Sequence, residues 1–354
     1  MTTLKLSKKT IIEKVPTNII TGFLGSGKST LIQSLLANKQ NNEHWVILIN
    51  EFGEVGLDEQ IIESNLAKKN GKGGQIQISQ IAGGCLCCAN GVPFQVALVQ
   101  LLKQQDKSPD RLIIEPTGLG HPKQLINQLS AQPFINLQTV FTVVDPKKVQ
   151  DARYSEHELF TTQVSVADVV VCNKQDGFNN NDFSVFQTWM KKKDIQPKLI
   201  TRTEQGVVDE NLLDKYSPSL SLKKPTLNLL LNTQPQNPNS IEFMEYQEEG
   251  STVTPEPIKV FEQNVEGFYA LGLIFDNSFV FDEDEIVNEL MDIDVIRIKS
   301  LIKTPKTALV INSVDSVMTQ TNSDNVITQS RFQFISHEPI NPDRIQSLIL
   351  SAKI

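Results

Sequence analysis

The segment Gly22-Phe23-Leu24-Gly25-Ser26-Gly27-Lys28-Ser29-Thr30 constrains this 354-residue chain more than any other. It fits G-x-x-x-x-G-K-[ST], follows the β-rich run TNIIT and opens a helical stretch, so it calls for a strand, a tight phosphate-binding turn and a helix in that order. Glycines at 22, 25 and 27 let backbone N–H groups, with those of Ser26 and Thr30, curl around phosphate oxygens at the positive end of the helix. Lys28 is expected to reach the β and γ phosphates, and the Ser29 hydroxyl to ligate Mg²⁺.

Around this turn, short apolar runs (TNIITGF, WVILIN, IQISQI, RLIIE, TVFTVVD, ADVVVCN, KLIT) alternate with helical stretches at Lys28–Ala37, Pro93–Gln104, Pro122–Leu129, Glu156–Thr162 and Phe183–Lys192. That alternation predicts an α/β fold, a doubly wound and mostly parallel sheet over residues 1–214. Residues 215–257 exchange periodicity for proline and polar residues and read as a linker. Beyond them, GFYALGLIF, IRIKSLI, ALVINSV and RFQFIS predict strands, and Asp284–Met291 and Asp343–Leu350 helices, of a smaller α+β domain over 258–354.

Two further segments belong beside the phosphate turn. Asn173-Lys174-Gln175-Asp176 follows the apolar run DVVVC, and an Asp176 carboxylate can accept hydrogen bonds from the ring N–H and amino group of guanine, a donor pair adenine lacks. A lone tetrapeptide of this kind is often a polar turn; about 140 residues after a phosphate loop it is a strong signal. Glu115 ends the strand RLIIE and begins Glu115-Pro116-Thr117-Gly118, which suits a carboxylate at Mg²⁺ or its waters and a Gly118 N–H at the γ-phosphate. On this reading Lys28, Ser29, Asp58 and Glu115 carry hydrolysis.

Cys85, Cys87 and Cys88 crowd one glycine-flanked loop. Thiolates so close repel unless a soft cation neutralises them, and Zn²⁺ accepts them at about 2.3 Å with a fourth position open. Redox-active vicinal thiols and small buried residues are the competing readings, and Cys172, inside an apolar run, reads as core. The loop Asn50–Asp58 gathers three carboxylates that could be a solvated acidic loop or serve metal; Glu51 and Glu54 are assigned to metal and Asp58 to hydrolysis. His121 directly follows the Glu115–Gly118 segment and is the one histidine with a candidate metal role.

A net charge of −8 opposes attraction to nucleic acid or anionic membrane. The N-terminal residues lack the apolar stretch of a signal peptide, no run approaches a membrane span, and the crowded thiols argue for a reducing, cytoplasmic compartment.

Together, GFLGSGKST, NEFGEVGLD, GGCLCCANG, LIIEPTGLGHPKQ and NKQD resemble the CobW-like family of P-loop GTPases, in its zinc-binding YeiR-type branch. GFYALGLIFDNSFVFDEDEI and IRIKSLI are similar to that family's C-terminal domain, although Ser300 stands where a Lys-Gly pair is usual and the histidine-rich stretch of many members is absent. The resemblance implies a metallochaperone that hydrolyses GTP and uses Cys85, Cys87 and Cys88 to deliver zinc to a client protein, with Zn²⁺ and Mg²⁺ as its metals, GTP and GDP as ligands and self-association left open. A zinc sensor or buffer merely tuned by nucleotide is the alternative, and a P-loop kinase the third reading.

Overall fold

A computed structural model describes residues 14–40, 42–49, 76–80, 98, 101–102, 109–218, 257–265, 267–314, 317–323 and 326–354. Seven strands, Val15–Thr21 (β1), Trp45–Ile49 (β2), Ile76–Gln80 (β3), Arg111–Glu115 (β4), Ile135–Val144 (β5), Val169–Cys172 (β6) and Leu199–Arg202 (β7), form one sheet in the order β3-β2-β4-β1-β5-β6-β7. Every pairing is parallel. Parallel neighbours need crossovers that cover the sheet, so central strands such as WVILI and VVVC are apolar along their whole length and buried throughout.

Alternation sorts those side chains between two layers. Ile47, Ile49 and Ile113 face the helix Lys28–Asn38 (α1) through Leu31, Ile32 and Leu35. Val46, Leu48, Leu112 and Ile114 face the opposite layer, where Leu125, Ile126 and Leu129 of Pro122–Ser130 (α2) pack beside Leu98 and Leu101. The helix expected at 156–162 is Glu158–Ser165 (α4), whose start is set by His157 Nδ1 accepting the Leu159 N–H, and a short additional helix, Ala152–Ser155 (α3), precedes it. Asn180–Lys192 (α5) begins three residues before the expected Phe183, since Asn179 and Asp182 form a reciprocal capping box.

The C-terminal sheet is antiparallel throughout. Ile258–Val265 (β8), Phe268–Phe275 (β9), Arg297–Lys303 (β10), Ala308–Val314 (β11), Val317–Ser323 (β12) and Ser330–Ser336 (β13) lie in the order β12-β11-β10-β13-β9-β8. Glu283–Met291 (α6) and Pro342–Ser351 (α7) cover one face, packing Ile286, Leu290, Ile345 and Ile349 onto Phe275, Phe332, Phe334 and Ile302. Ser300 is fully buried in β10. The other face meets the seven-stranded unit, where Phe268, Ala270 and Ile335 share one buried cluster with Phe23, Leu24 and Leu119.

The two edge strands, β8 and β12, are absent from the sequence expectation. Lys259, Glu262 and Gln263 in the first and Thr319, Gln320 and Asn322 in the second dilute the apolar alternation, as suits strands with one side open to solvent. Most of the expected linker, 219–256, lies outside the described residues. Among those described, no helix is long and apolar enough to cross a membrane.

One polar group ties the centre of the first sheet to the segment after β7. Asn18, fully buried in β1, donates through Nδ2 to the carbonyls of Thr139 (3.0 Å) and Leu213 (2.7 Å), while its Oδ1 accepts from Arg111. Asn18→Ala leaves those buried carbonyls and the guanidinium short of a partner. It is expected to lower stability by about 2–3 kcal/mol, read as a lower urea midpoint at unchanged slope.

Candidate functional site

Because β1, β4, β5, β6 and β7 all run the same way, their carboxyl ends bring five connecting segments to one edge of the sheet. The first, residues 22–27, turns through the Ser26 N–H to Phe23 carbonyl bond (3.3 Å) and enters α1 when Leu31 N donates to the Gly27 carbonyl (3.0 Å). Gly27 is left-handed (φ 101°), and a Cβ there would sit 2.1 Å from Asn173 Nδ2, so no other residue fits. Lys28 is buried, with its Nζ 3.4 Å from the Phe23 carbonyl it donates to, which folds the cation back over the turn. Ser29 and Thr30 follow in the first turn of α1.

Glu115, the last residue of β4 and 3% exposed, accepts from Ser29 Oγ at 3.1 and 3.5 Å through its two carboxylate oxygens. A hydroxyl and a carboxylate oxygen so close form the kind of hard-oxygen pair that Mg²⁺ takes on, keeping its remaining positions for phosphate and water. Past Glu115 the chain turns back on the phosphate loop. A Cβ on Gly118 would lie 2.8 Å from Leu24 Cδ2 and 3.1 Å from the Leu24 nitrogen, so the two segments are pressed together, backbone against backbone. Gln163, fully buried in α4, holds that turn in place by donating to the carbonyls of Gly118 (2.9 Å) and Gly120 (3.3 Å). His121 sits half-buried at the N-terminal cap position of α2, directly after it.

The segment Asn173–Asp176 follows β6. Asn173 Nδ2 donates to the Ser26 carbonyl (3.1 Å) and its Oδ1 accepts from Gly206 N (3.2 Å), so this side chain staples three loops rather than pointing outward. Lys174 takes a left-handed backbone (φ 62°), and its ammonium reaches Asp145 Oδ2 at 3.4 Å. Asp176 is exposed at the mouth of the same loop.

The geometry also brings in residues that sequence reading passes over. Asp145, Gln163 and the Thr203–Val207 turn all position the candidate residues. For Gly206 the cue was the strand KLIT, after which a loop at the same edge was due; Asp145 likewise ends an expected strand. Gln163 carries no local signal, being one polar residue on a buried helix face.

Cys85, Cys87 and Cys88, with Glu51, Glu54 and Asp58, lie outside the described residues. The strands that precede their loops are described. Ile49, the last residue of β2, pairs with both Gln80, the last of β3, and Glu115. Among the described residues no cluster of three or more metal-ligating side chains occurs. Cys172 is fully enclosed in β6, and burial pushes its thiol up to about 12, so it stays protonated and is no thiolate ligand at neutral pH.

A family model for the CobW/HypB/UreG nucleotide-binding domain matches residues 16–201. The zinc chaperone YeiR of Escherichia coli is 34% identical over 342 residues, covering 96% of this chain and 98% of its own. The zinc chaperone CobW of Pseudomonas aeruginosa is 33% identical over 47% of this chain and 50% of its own length. The zinc-regulated GTPase metalloprotein activator 1 of Schizosaccharomyces pombe is 29% identical over 56% of this chain and 48% of its own.

If Asn173 is a staple, removing it should loosen the site without touching a ligand. Asn173→Ala is expected to lower stability by about 1–2 kcal/mol and to weaken guanine-nucleotide binding together with it. Calorimetric titration and thermal unfolding on the same sample check whether the two losses coincide.

Proposed function

The chain belongs to the CobW/HypB/UreG nucleotide-binding family, and we propose that within it this protein is a zinc-binding GTP hydrolase acting as a metallochaperone, coupling GTP turnover to metal transfer to a client protein. One observation carries the reading. The phosphate turn, the Ser29–Glu115 oxygen pair and the Asn173–Asp176 loop share one sheet edge, the strand leading to the acidic loop ends beside Glu115, and the strand leading to the cysteine loop ends next to that one.

In the proposed mechanism Asp176 accepts the guanine donors while the Lys174 stem covers the base. Gly25, Gly27, Lys28 and Thr30 cradle the phosphates, and Gly22 and Ser26 shape the turn. Ser29 and Glu115 would hold Mg²⁺, which would supply positive charge to offset that of the phosphates. Gly118, pressed on Leu24, contacts the γ-phosphate through its amide and carries its presence or loss toward His121. Asp58 orients the attacking water. Cys85, Cys87 and Cys88 take zinc as cargo, with Glu51 and Glu54 completing the donor set, and hydrolysis relaxes the loops so that the metal can leave. Crowded thiols and a net charge of −8 suit a cytoplasmic protein whose partners are nucleotide and client rather than nucleic acid or membrane.

Guanine selection should fail in a defined way. Asp176→Asn is expected to lose about 2–4 kcal/mol of GTP affinity and to gain xanthosine triphosphate, whose acceptor complements the new amide. Equal affinity of the unaltered chain for ATP and GTP would overturn the guanine assignment.

Coupling is the property that separates a transfer device from a buffer. Zinc titrated with GDP or a non-hydrolysable GTP analogue is expected to show affinities differing roughly 5–150-fold, a coupling of about 1–3 kcal/mol, and zinc must shift the GTP/GDP preference by the same factor. Replacing Cys85, Cys87 and Cys88 by serine should remove that effect and leave GTP binding intact. Matching zinc affinities in both nucleotide states would leave a GTPase with an uncoupled metal site.

A further inference from the structure

The turn after β4 is held from outside by one side chain. Gln163 Nε2 donates to the carbonyls of Gly118 (2.9 Å) and Gly120 (3.3 Å). Within the turn, Gly120 N donates to the Thr117 carbonyl (2.9 Å) and Leu119 N to Thr117 Oγ1 (3.0 Å). Three successive peptide planes, 118–119, 119–120 and 120–121, are thereby fixed, the first and last of them by Gln163. Among the described residues no peptide bond is cis, so the Gly118 N–H points opposite to the Thr117 carbonyl, which is turned inward onto Gly120. The turn in this orientation is pressed on the phosphate loop, through the close approach of Gly118 to the Leu24 nitrogen.

Gln163 has a firm base from which to do this. Its own carbonyl accepts from Thr142 Oγ1 of β5 at 2.7 Å, and Leu159, Phe160 and Val164 of the same helix are buried in the cluster that holds Phe23, Leu24 and Leu119. The side chain is fully buried, and because both of its partners are carbonyls the amide can stand only with its nitrogen toward the turn. Its Oε1 is shut off from solvent with no partner. An unpaired buried acceptor is a cost that a methionine or leucine at this position would not carry. One end of the amide is thus paired, and only with the turn, so what it contributes is the placing of that turn rather than the filling of a core.

We infer that Gln163 is a positioning residue that sets how strongly the site distinguishes GTP from GDP, by fixing the turn that aims the Gly118 N–H at the terminal phosphate. This rests on the reading of Gly118 as the γ-phosphate contact. A hydrogen bond to a charged oxygen weakens steeply with distance and angle, so a turn freed from Gln163 loses it. GDP has no terminal phosphate to lose, and its remaining phosphates are held by the loop before α1.

The test uses the full chain and compares unaltered protein with Gln163→Met and Gln163→Leu, which fill similar space without a donor. Calorimetric titration in the presence of Mg²⁺ is expected to show the affinity for a non-hydrolysable GTP analogue falling about 10–100-fold in both variants, the worth of one hydrogen bond to a charged group, with the affinity for GDP unchanged. The ratio of the two affinities is the readout that a packing role does not move. Lower thermal midpoints with an unchanged ratio would overturn the inference, as would parallel losses of both affinities or the failure of both variants to fold. Binding of neither nucleotide by the unaltered chain, seen before any variant is compared, would overturn the guanine-nucleotide reading itself and the inference with it.

Discussion

Parallel pairing with β1 at the centre is the constraint from which the rest follows. Parallel neighbours cannot be joined by tight turns, so each link must cross a face of the sheet and return to the same starting edge. The faces are thereby buried, which is why inner strands such as WVILI and VVVC read as unbroken apolar runs. The opposite edge collects every loop that carries polar chemistry. Glu115, Asp145, Asn173 and Gly206 are separated by up to some 90 residues in sequence, and strand direction alone brings each to the turn after β1.

What could be read from the sequence tracks how local the determining physics is. A strand, a glycine turn and a helix are adjacent in residues 15–38, so the phosphate loop is legible at once, and the same holds for the strand that delivers Glu115 and the one that delivers Asn173. Inner strands of the parallel sheet such as WVILI and VVVC are legible because each is apolar from end to end. β8 and β12 are not, since an edge strand needs only half its length apolar, and here polar residues occupy much of both. Helix starts at α4 and α5 move by two or three residues because a capping side chain, His157 or Asn179, outweighs the apolar period that suggested them.

Roles set by long-range contacts were the least legible. Asn173 belongs to a tetrapeptide that suggests base reading, yet its amide is spent on Ser26 and Gly206, 147 and 33 residues away. Gln163 is an isolated polar residue in sequence and becomes the holder of the Gly118 turn only when α4 lies against it. Phe23 shows the same effect most fully. Inside a phosphate-loop motif it counts as an arbitrary position, whereas in the fold it sits at the centre of an aromatic cluster with Tyr154, His157, Phe160 and Phe268 at ring separations of 5.4–5.9 Å.

That cluster bears on how such a chain could be cut or recombined. Phe23 belongs at once to the nucleotide loop and to the core shared with Phe268, Ala270 and Ile335, so the boundary between the two units runs through the active edge rather than behind it. A fragment ending near residue 218 would carry the whole parallel sheet and every loop on it, yet would expose Phe23, Leu24 and Leu119 as a sticky apolar patch beside its own ligand site. Grafting this nucleotide unit onto another protein would require a replacement surface for that patch. Modularity, natural or engineered, is limited here by a single ring.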